Sequence, residues 1–521
     1  MSRWFNLRPI VASLIVALAG TFPGAASAQD LIIATATDTT SIDPHFQDLG
    51  PNQAIRQHVF DSLVHIGPKN ESNPGLATEW TRGPDPLLWV FKLRRGVKFH
   101  DGSPFTAKDA AFSIERAPVV PNSPATLSRR VADIAKVEIV DDFTLRIVTK
   151  TPTPILPNNL AYLAIVSHKI GIDAQSTDFN NGKHATGTGP YKFVEFVPGE
   201  RTVFAANADY WGGKPRWQKV TVRPMVNAAS RTAALLAGDV HVISDVSPTD
   251  IPRLKSDNRL TVTETVSNRI IFWTIDVFRD QALHVTALDG SSMPNPLKDL
   301  RVRQAINLAI DRQAIVDRVM DGLAVPANQI VPAGFTGYTP DLVPPKPDLE
   351  RARKLMAEAG HEKGFQLTIH TTNNRYINDA RTAQTIAQMV SRIGIKVNVT
   401  ALPVAVYFGA ARKNEYTFPQ VGWGNLTGDA AQVLREALKT GFINNYGRWS
   451  NPAFDRLLDQ ADNEIDMATR EDLLRQATRI AINDVAIIPT HWQVNVWAAK
   501  KGLRYVPRID ELTYAMMVEP E

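Results

Sequence analysis

Residues 365–399 read FQLTIHTTNNRYINDARTAQTIAQMVSRIGIKVNV and decide the fold class. Apolar residues alternate with polar ones over 365–372, which predicts a β-strand. Over 377–393 the apolar residues recur at helical spacing, and Gly394 follows as the expected end of a helix. Residues 395–399 alternate again as a second strand. A strand, a helix and a strand in this order predict a βαβ unit with parallel strands, so this part of the chain is α/β.

Similar patterns extend on both sides of this unit. They predict two short helices within residues 298–320, a longer amphipathic helix at 470–482 and a short buried strand at 486–489. Toward the N-terminus, Thr106 followed by Asp109 is the pattern of a capping box that begins a helix. No break in composition divides the chain, so we expect interleaved lobes, between which the chain crosses more than once.

The composition is that of a large globular protein. The chain has 521 residues, so we expect two or more lobes. Its 57 basic and 53 acidic residues give a formal charge of +4, which is too even to indicate nucleic-acid binding. Hydrophobic residues make up 44% of the chain, which excludes long disorder.

The first residues have the pattern of a secretory signal peptide over 1–28. Basic residues near the start precede an apolar segment at 10–22, and Ala26-Ser27-Ala28 has the small-x-small form of a cleavage site. The mature protein is therefore predicted to begin at Gln29. The sequence has no cysteine, so a lipid anchor on cysteine is excluded, and we expect a free protein in the periplasm.

The sequence holds no specific catalytic or metal-binding pattern. It has no G-x-S-x-G motif, no G-x-x-x-x-G-K-[ST] phosphate loop and no H-E-x-x-H zinc helix. His58 and His65 could share a helix face, but a zinc site needs three or four ligands. We therefore predict no enzyme activity, no metal and no cofactor. Gly187-Thr188-Gly189 is expected to be a turn in which glycine supplies unusual dihedral angles.

Trp423 stands between two glycines, Gly422 and Gly424. Flanking glycines bare the backbone and allow a ligand to approach closely, which makes this segment a candidate binding site. The alternative is a tryptophan that packs in the core at a bend.

Four segments are characteristic as a set. In chain order they are LATEW (76–80) with FKLRRGVKFHDGSPFTAKD (91–109), GTGPYKF (187–193), RTAALLAG (231–238) and DLRVRQAINLAID (299–311). The stretch SNPAFDRLL (450–458) agrees with them. Together they resemble the extracytoplasmic solute-binding proteins of peptide-type ABC importers, the family of the oligopeptide-, dipeptide- and nickel-binding proteins.

The resemblance implies a two-lobed α/β fold, the type II-like periplasmic-binding-protein fold, with interleaved lobes and the ligand enclosed between them. The implied parts are a signal peptide (1–28), a first lobe (29–72, 186–275 and 492–521), an extra subdomain of that lobe (73–185) and a second lobe (276–491). The implied partners are a small solute and ABC permease subunits in the inner membrane, driven by separate ATPase subunits. The protein itself is expected to be a monomer and not an enzyme.

In peptide-binding members of the family, charged residues beside the cleft tryptophan hold the termini of the peptide. The carboxylate for the ammonium terminus lies three residues after the tryptophan, where this chain has Leu426; Asp429 follows three residues later. The cation for the carboxylate lies, in some members, three residues before the tryptophan, where this chain has Gln420. These uncharged residues favour a changed specificity, unless Asp429 takes over the anchoring. The candidate ligand contacts here are Trp423, Gly424, Asn425, Leu426, Asp429 and Gln420.

The loop after Asp43-Pro44 also lines the cleft in the family, which makes Asp48 and Gly50 candidates. Tyr407 stands where the family often has a cleft aromatic, and packing in the core is the alternative.

Asn374, Arg375 and Tyr376 follow a strand of the second lobe, at the strand end where ligands bind in α/β folds. Arg375 is a candidate partner for a ligand carboxylate. Its alternative is a solvated surface arginine.

The first hypothesis is a periplasmic binding protein that supplies a peptide or peptide-like solute to an ABC importer. A second keeps the machinery and changes the cargo to an opine, an oligosaccharide, glutathione, haem or a nickel chelate, although no histidine cluster near the cleft motifs supports nickel. An exported hydrolase would need a nucleophile with its base, or a metal. A chaperone or receptor subunit would bind no small ligand.

Overall fold

The structure, a computed structural model, describes Met1 and residues 30–521. Its strands are β1 (Leu31–Thr35), β2 (Val64–Ile66), β3 (Ser72–Pro74), β4 (Ala77–Arg82), β5 (Leu88–Leu93), β6 (Ile134–Asp141), β7 (Thr144–Thr149), β8 (Tyr191–Val197), β9 (Arg201–Ala206), β10 (Lys219–Pro224), β11 (Val242–Ile243), β12 (Leu260–Thr274), β13 (Val285–Thr286), β14 (Ala324–Pro326), β15 (Gln366–Thr372), β16 (Lys396–Leu402), β17 (Phe418–Gly424), β18 (Ile487–Lys500), β19 (Leu503–Tyr505) and β20 (Val518–Pro520). Its α-helices are α1 (Gly50–Val59), α2 (Ala107–Arg116), α3 (Ser128–Val131), α4 (Leu156–Leu160), α5 (Ser176–Asn180), α6 (Ala228–Ala237), α7 (Ile251–Ser256), α8 (Leu300–Ala309), α9 (Arg312–Arg318), α10 (Leu349–Glu358), α11 (Asp379–Ser391), α12 (Val404–Arg412), α13 (Ala431–Leu438), α14 (Pro452–Asn463) and α15 (Met467–Asn483).

The predicted signal peptide covers residues 1–28; apart from Met1 it lies outside the described residues, and so does the predicted cleavage point before Gln29. Within the part of the chain that is described, no helix is both long enough and apolar enough to cross a membrane.

The predicted βαβ unit is present as β15, α11 and β16. The two strands are parallel, with Leu367 opposite Val397. The helix begins at Asp379, later than the spacing predicted, because Asn378 before it adopts the left-handed conformation with φ 52°. The apolar pattern therefore located the unit correctly, but residues 377 and 378, which were predicted to be helical, belong to the loop before the helix.

A mixed sheet of twelve strands, counted over the described residues, continues through both lobes. Its centre is the antiparallel pair β12 and β18. Beyond β18 come β11, β1, β10, β9 and β8, which form the sheet of the first lobe; beyond β12 come β17, β15 and β13, with β16 on β15, which form the sheet of the second lobe. The two-lobed α/β fold is thereby confirmed, and the chain crosses between the lobes along β12 and β18.

The junction between the lobes is a bulge in β12. Residues 260–266 pair with the end of β18 beside the first lobe, whereas residues 269–273 pair with β17 and residues 270–274 pair with the start of β18. The register shifts between Val266 and Ile270. A bulge bends its strand, so residues 267–269 form the point where one lobe turns toward the other.

An antiparallel sheet in the order β4-β5-β7-β6 forms a separate layer in the first lobe. The helix α2 covers it and begins with the predicted capping box, in which the Thr106 backbone N–H donates to the Asp109 carboxylate at 2.8 Å. Phe91, Leu145 and Ile147 are fully buried in its core. This layer falls inside the range predicted for the extra subdomain; the predicted borders of the parts stay a prediction.

The C-terminal tail packs on the first lobe. The Tyr505 ring stacks on Trp497 with ring centroids 4.7 Å apart, and the Ala515 N–H donates to Nε2 of His58 on α1 at 3.1 Å. The tail thus places residues 510–513 next to α1, at the cleft described below.

The strand predicted at 486–489 is only the beginning of β18, which has 14 residues. The prediction was too short because polar residues interrupt the apolar run: Thr490, His491, Gln493 and Asn495 are all buried. A strand between β12 and β11 buries both faces, so its polar residues give no alternation that a sequence pattern could show.

Gly187 and Gly189 pass directly against the end of α1. A Cβ at Gly187 would lie 1.9 Å from the Val59 carbonyl oxygen and 2.8 Å from Cδ1 of Phe60. Neither glycine has a positive φ, so the expectation of unusual dihedral angles is wrong. Glycine is needed here because two backbone segments approach closely.

We expect Gly187→Ala to lower the free energy of unfolding by about 2–3 kcal/mol, because the contact is with backbone that cannot move aside. Gly409→Ala is the matched control, since a Cβ in that α12 position meets no atom within 4 Å. Alanine there should leave stability unchanged or raise it by about 0.5–1 kcal/mol. Thermal and urea unfolding measure both; equal melting temperatures would contradict the close approach.

Four histidines are buried in the folded protein, each 4% exposed or less: His45, His58, His370 and His491. Burial lowers the pKa of each one to about 4. A free histidine has a pKa of about 6.5, so the unfolded chain binds protons that the folded chain excludes. Their contribution to stability is complete above pH 6.5 and is lost as the pH falls toward 4.

Replacing His491 tests this directly, because neither ring nitrogen has a hydrogen-bond partner among the described residues. His491→Leu should flatten the dependence of unfolding free energy on pH by up to about 1.4 kcal/mol per pH unit between pH 6.5 and 4. The measurement is urea unfolding at a series of pH values. Parallel curves for the variant and the unmodified protein would show that His491 takes up no proton on unfolding.

Candidate functional site

A cleft of about 670 Å³ lies between the lobes. This size and position are typical of a binding site for a small molecule. Its walls come from both lobes, from the bulge in β12 and from the C-terminal tail: residues 35–39, 50–51, 53–55, 202, 222, 226, 228, 231 and 244–248 of the first lobe, 268–269 at the bulge, 374–378, 424 and 426 of the second lobe, and 510–513 of the tail.

The second-lobe wall is the loop between β15 and α11. The Asp379 carboxylate accepts hydrogen bonds from the Thr372 hydroxyl at 2.6 Å and from the backbone N–H of Arg375 at 3.1 Å. The Tyr376 hydroxyl donates to the Gly422 carbonyl at 3.2 Å. These bonds hold the loop in one conformation, so the cleft wall is built before any ligand arrives.

Arg375 carries a free guanidinium into the cleft. Its side chain is exposed and lies over the Tyr376 ring, 5.3 Å from the ring centre. The guanidinium has no hydrogen-bond or ion-pair partner in the described part of the chain. Burial of the surrounding cleft and the nearby Arg269 charge lower the pKa of Arg375, and a guanidinium still remains protonated. A ligand carboxylate would be a favourable partner for this group.

The floor of the cleft is electrically compensated. Arg269 on the bulge forms an ion pair with Glu511 of the tail at 2.6 Å, and the Ser267 hydroxyl donates to the same carboxylate at 2.9 Å. Burial alone would raise the pKa of Glu511, but Arg269 outweighs it, so the pKa is lowered. This pair joins the tail to the bulge in β12, and its two charges compensate each other, so little net charge is left here to attract a ligand.

The first-lobe wall contains Asp245, which the sequence pattern did not single out. It follows the short strand β11, its backbone is left-handed with φ 51°, and its side chain opens into the cleft. The Ser244 hydroxyl donates to it at 2.7 Å. Burial of the site raises the pKa of Asp245. The available signal was an aspartate at the carboxyl end of a strand, a common position for binding residues.

The structure brings six of the predicted residues to the cleft. These are Gly50, Asn374, Arg375, Tyr376, Gly424 and Leu426. Asn374 also accepts a hydrogen bond from the Val404 N–H at 2.9 Å, which ties the loop to the start of α12.

Gln420 and Tyr407 are buried in the second lobe and do not line the cleft. The Gln420 side chain accepts a hydrogen bond from the Thr371 hydroxyl at 2.6 Å. The Tyr407 hydroxyl donates to the Gln420 carbonyl at 2.8 Å, and its ring stacks on Tyr416. Tyr407 therefore packs in the core, which was the alternative to a cleft position.

Trp423 is turned to the other side of β17 from the cleft. A Cβ at Gly422 would lie 2.4 Å from the Tyr376 ring, and one at Gly424 would lie 3.3 Å from the Arg269 guanidinium. Side chains alternate along a strand, so Trp423 points to the opposite face, where it packs against the second-lobe core. The two glycines make room for Tyr376 and Arg269.

Asp429 and Asn425 hold the loop that follows β17. The Asp429 carboxylate pairs with Arg470 at 2.9 Å, and both groups are almost fully buried. The Asn425 side chain donates to the Asp429 carbonyl at 2.8 Å. Asp48 is likewise paired, with Arg129 at 2.9 Å and Arg130 at 2.8 Å. Asp429, Asn425 and Asp48 all lie outside the cleft lining. For all twelve predicted residues, contact with a ligand stays a prediction.

The loop after β17 also joins the two lobes. The Tyr162 hydroxyl, from the extra layer of the first lobe, donates to the Leu426 carbonyl at 2.7 Å. The Asn158 side chain donates to the Thr427 carbonyl at 3.0 Å. The Leu426 side chain packs against the core of that layer. The lobes are therefore closed on each other.

A second cavity, of about 310 Å³, lies beyond this loop. Arginines dominate its lining, but each has an acidic partner: Arg129 and Arg130 with Asp48, Arg435 with Asp462, and Arg470 with Asp429. Compensated charges give a ligand little to bind, so the larger cleft is the better candidate.

His58 and His65 do not share a site. His58 stacks on Phe204 inside the first lobe, and His65 lies 3.2 Å from Asp61 on a different element. Among the described residues, no group of three or more histidine, aspartate or glutamate side chains could hold a metal ion.

Comparison with known proteins agrees with this architecture. Residues 71–445 match the family described as bacterial extracellular solute-binding proteins, family 5 middle. The chain is 28% identical to heme-binding protein A of Haemophilus influenzae over 84% of this chain and 82% of the relative. It is 27% identical to the glutathione-binding protein GsiB of Pectobacterium atrosepticum over 91% of this chain and 90% of the relative.

The fold is also that of a solved peptide complex. The ABC transporter-associated periplasmic binding protein DppA from Helicobacter pylori, in complex with the peptide STSA, superposes with a TM-score of 0.77 at 25% identity, covering 94% of this chain and 98% of that chain. The family match spans well over half of the sequence. The chain belongs to the bacterial extracellular solute-binding proteins of family 5.

Proposed function

We propose that this protein is the periplasmic substrate-binding component of an ABC importer and that it captures a peptide or peptide-like solute between its lobes. The observation that carries the proposal is the cleft of about 670 Å³, walled by both lobes, which two continuous strands join. A binding protein of this family is not an enzyme.

The mechanism of solute capture follows from the position of the cleft, whose walls belong to both lobes. A ligand that touches both lobes stabilises the closed form relative to the open form. The closed form then delivers the solute to permease subunits in the inner membrane. A separate ATPase subunit supplies the energy, since this sequence contains no phosphate loop.

The proposal includes the state of the protein in the cell. The signal peptide is removed before Gln29, and without cysteine the mature chain carries no thioether-linked lipid. It acts as a free monomer in the periplasm.

Arg375 is the proposed partner for the ligand carboxylate. It is the guanidinium that the cleft leaves without a partner among the described residues, and a carboxylate matches its geometry. The solved complex with the peptide STSA supports a peptide ligand.

A non-peptide solute is the second candidate, and one observation favours it. Leu426 and Gln420 are uncharged where peptide-binding members of the family carry charged anchors, and Gln420 lies buried behind the cleft. The relatives named for haem and glutathione show that similar chains carry different cargoes.

Mass spectrometry of the carried solute tests the proposal. The mature protein is purified from periplasm without denaturant and then unfolded to release its load. Short peptides would support peptide transport, and a single non-peptide compound would support the second candidate. An empty protein whose X-ray scattering profile shows no closure with any solute of a broad panel would contradict solute capture altogether.

Tyr162→Phe is expected to weaken ligand affinity about fivefold, since its hydroxyl bond across the lobes, worth about 1 kcal/mol, exists only in the closed form. Tyr446→Phe is the matched control, because that hydroxyl donates to Asn444 within the second lobe. Calorimetric titration with the identified solute measures both. Equal affinities for the two variants would show that the Tyr162 bond does not contribute to closure.

A further inference from the structure

The cleft contains a carboxylate, that of Asp245, that has neither a cationic partner nor a backbone N–H donor among the described residues and that opens directly into the binding space. Asp245 accepts a hydrogen bond from the Ser244 hydroxyl at 2.7 Å, and no arginine, lysine or histidine of the described chain lies within ion-pair distance of it. Its side chain is exposed, although it stands deep between the lobes. A ligand that fills the closed cleft removes water from this carboxylate, and the lost hydration is offset only if the ligand supplies a cation.

The arginine next to Asp245 is already occupied. The Arg231 guanidinium donates to the backbone carbonyls of Asp245 at 2.7 Å, Ser244 at 3.2 Å and Met225 at 2.6 Å. Those bonds fix the loop that carries Asp245 and leave its carboxylate free. Arg231 therefore positions the acid and does not neutralise it.

The other cleft charges also have partners. Glu511 pairs with Arg269, and Asp510 pairs with Arg508. The Asp38 carboxylate accepts hydrogen bonds from the backbone N–H of Thr39 at 2.8 Å and of Gly199 at 2.6 Å. Asp38 has no cationic partner in the described chain, but its carboxylate already accepts these two backbone hydrogen bonds. Among the described cleft residues, Asp245 is therefore the carboxylate with neither a cation nor a backbone N–H against it, and Arg375 is the guanidinium without a partner.

We propose that Asp245 binds a cationic group of the ligand, which in a peptide is the α-ammonium terminus. The inference rests on the proposed function and narrows its substrate class to solutes that carry a positive and a negative group. The ammonium would contact the first lobe through Asp245, while the carboxylate contacts the second lobe through Arg375. Such a ligand bridges the lobes by its own two charges, and it needs no carboxylate at Leu426.

Asp245→Asn removes the charge and preserves the backbone, since asparagine tolerates the left-handed conformation at least as well as aspartate. Asp321→Asn is the matched control: Asp321 has the same φ of 51°, is exposed, and lies after α9 outside the cleft lining. Calorimetric titrations use trialanine and N-acetyl-trialanine as probes, which differ in the charge of the amino terminus. The solute released from each purified protein is identified by mass spectrometry.

We expect the unmodified protein and Asp321→Asn to bind trialanine about 100-fold more tightly than the acetylated peptide. Asp245→Asn should lose about 100-fold in affinity for trialanine, keep its affinity for the acetylated form, and so lose the preference. A preference that persists in Asp245→Asn, or an equal loss for both peptides, would overturn the inference.

If neither peptide binds, the inference is tested by the identity of the solute that each purified protein carries. A solute with a cationic group that is present in the unmodified protein and in Asp321→Asn, but missing from Asp245→Asn, supports the inference. A solute without any cationic group, or one that Asp245→Asn retains, overturns it and leaves solute capture standing. A protein that carries nothing and closes on nothing contradicts the proposed function and this inference together.

Discussion

The ladder between β12 and β18 is the constraint on which the rest of the structure depends. Each strand belongs to both lobes, so the two sheets are one hydrogen-bonded surface bent at a bulge. The bulge places Ser267 and Arg269 at the base of the cleft, where Glu511 of the tail holds them. A strand pair that is continuous through the hinge can bend without losing most of its hydrogen bonds, which keeps the lobes aligned while the cleft opens and closes.

The loop between residues 424 and 429 gives the cleft its shape. Glycines at 422 and 424 let Tyr376 and Arg269 lie directly against β17: a larger residue at 422 would clash with the Tyr376 ring, and one at 424 would contact the Arg269 guanidinium tightly. The buried Asp429–Arg470 pair then fixes the far end of the loop. Removing one member of such a pair leaves an uncompensated buried charge, so this pair secures a conformation more than it adds stability. Leu426 is presented to both the cleft and the first lobe as a consequence.

Local sequence patterns predicted those elements whose formation depends on residues that are close in the sequence. The capping box joins Thr106 to Asp109, and the paired strands of the βαβ unit both lie within or next to residues 365–399, so nearby residues carry the signal for both. The sequence could not predict which face of β17 the Trp423 side chain occupies, because the glycines on both sides give no alternation of apolar and polar residues. Asp245 was missed because its importance comes from what surrounds it, the hinge at Arg269 and the tail at Glu511, which lie far away in sequence.

Charges on opposite walls of a closing cleft couple recognition to motion. In the open form, water hydrates Asp245 and Arg375 separately. In the closed lobes both groups stay exposed to the water of the cleft, so a solute that fills the cleft without a matching charge would remove this water at a free-energy cost. A ligand with complementary charges offsets this cost only in the closed form, because only there does it reach both walls. Under the inference made for Asp245, these two unpaired groups therefore favour closure on the solute whose charges fit them.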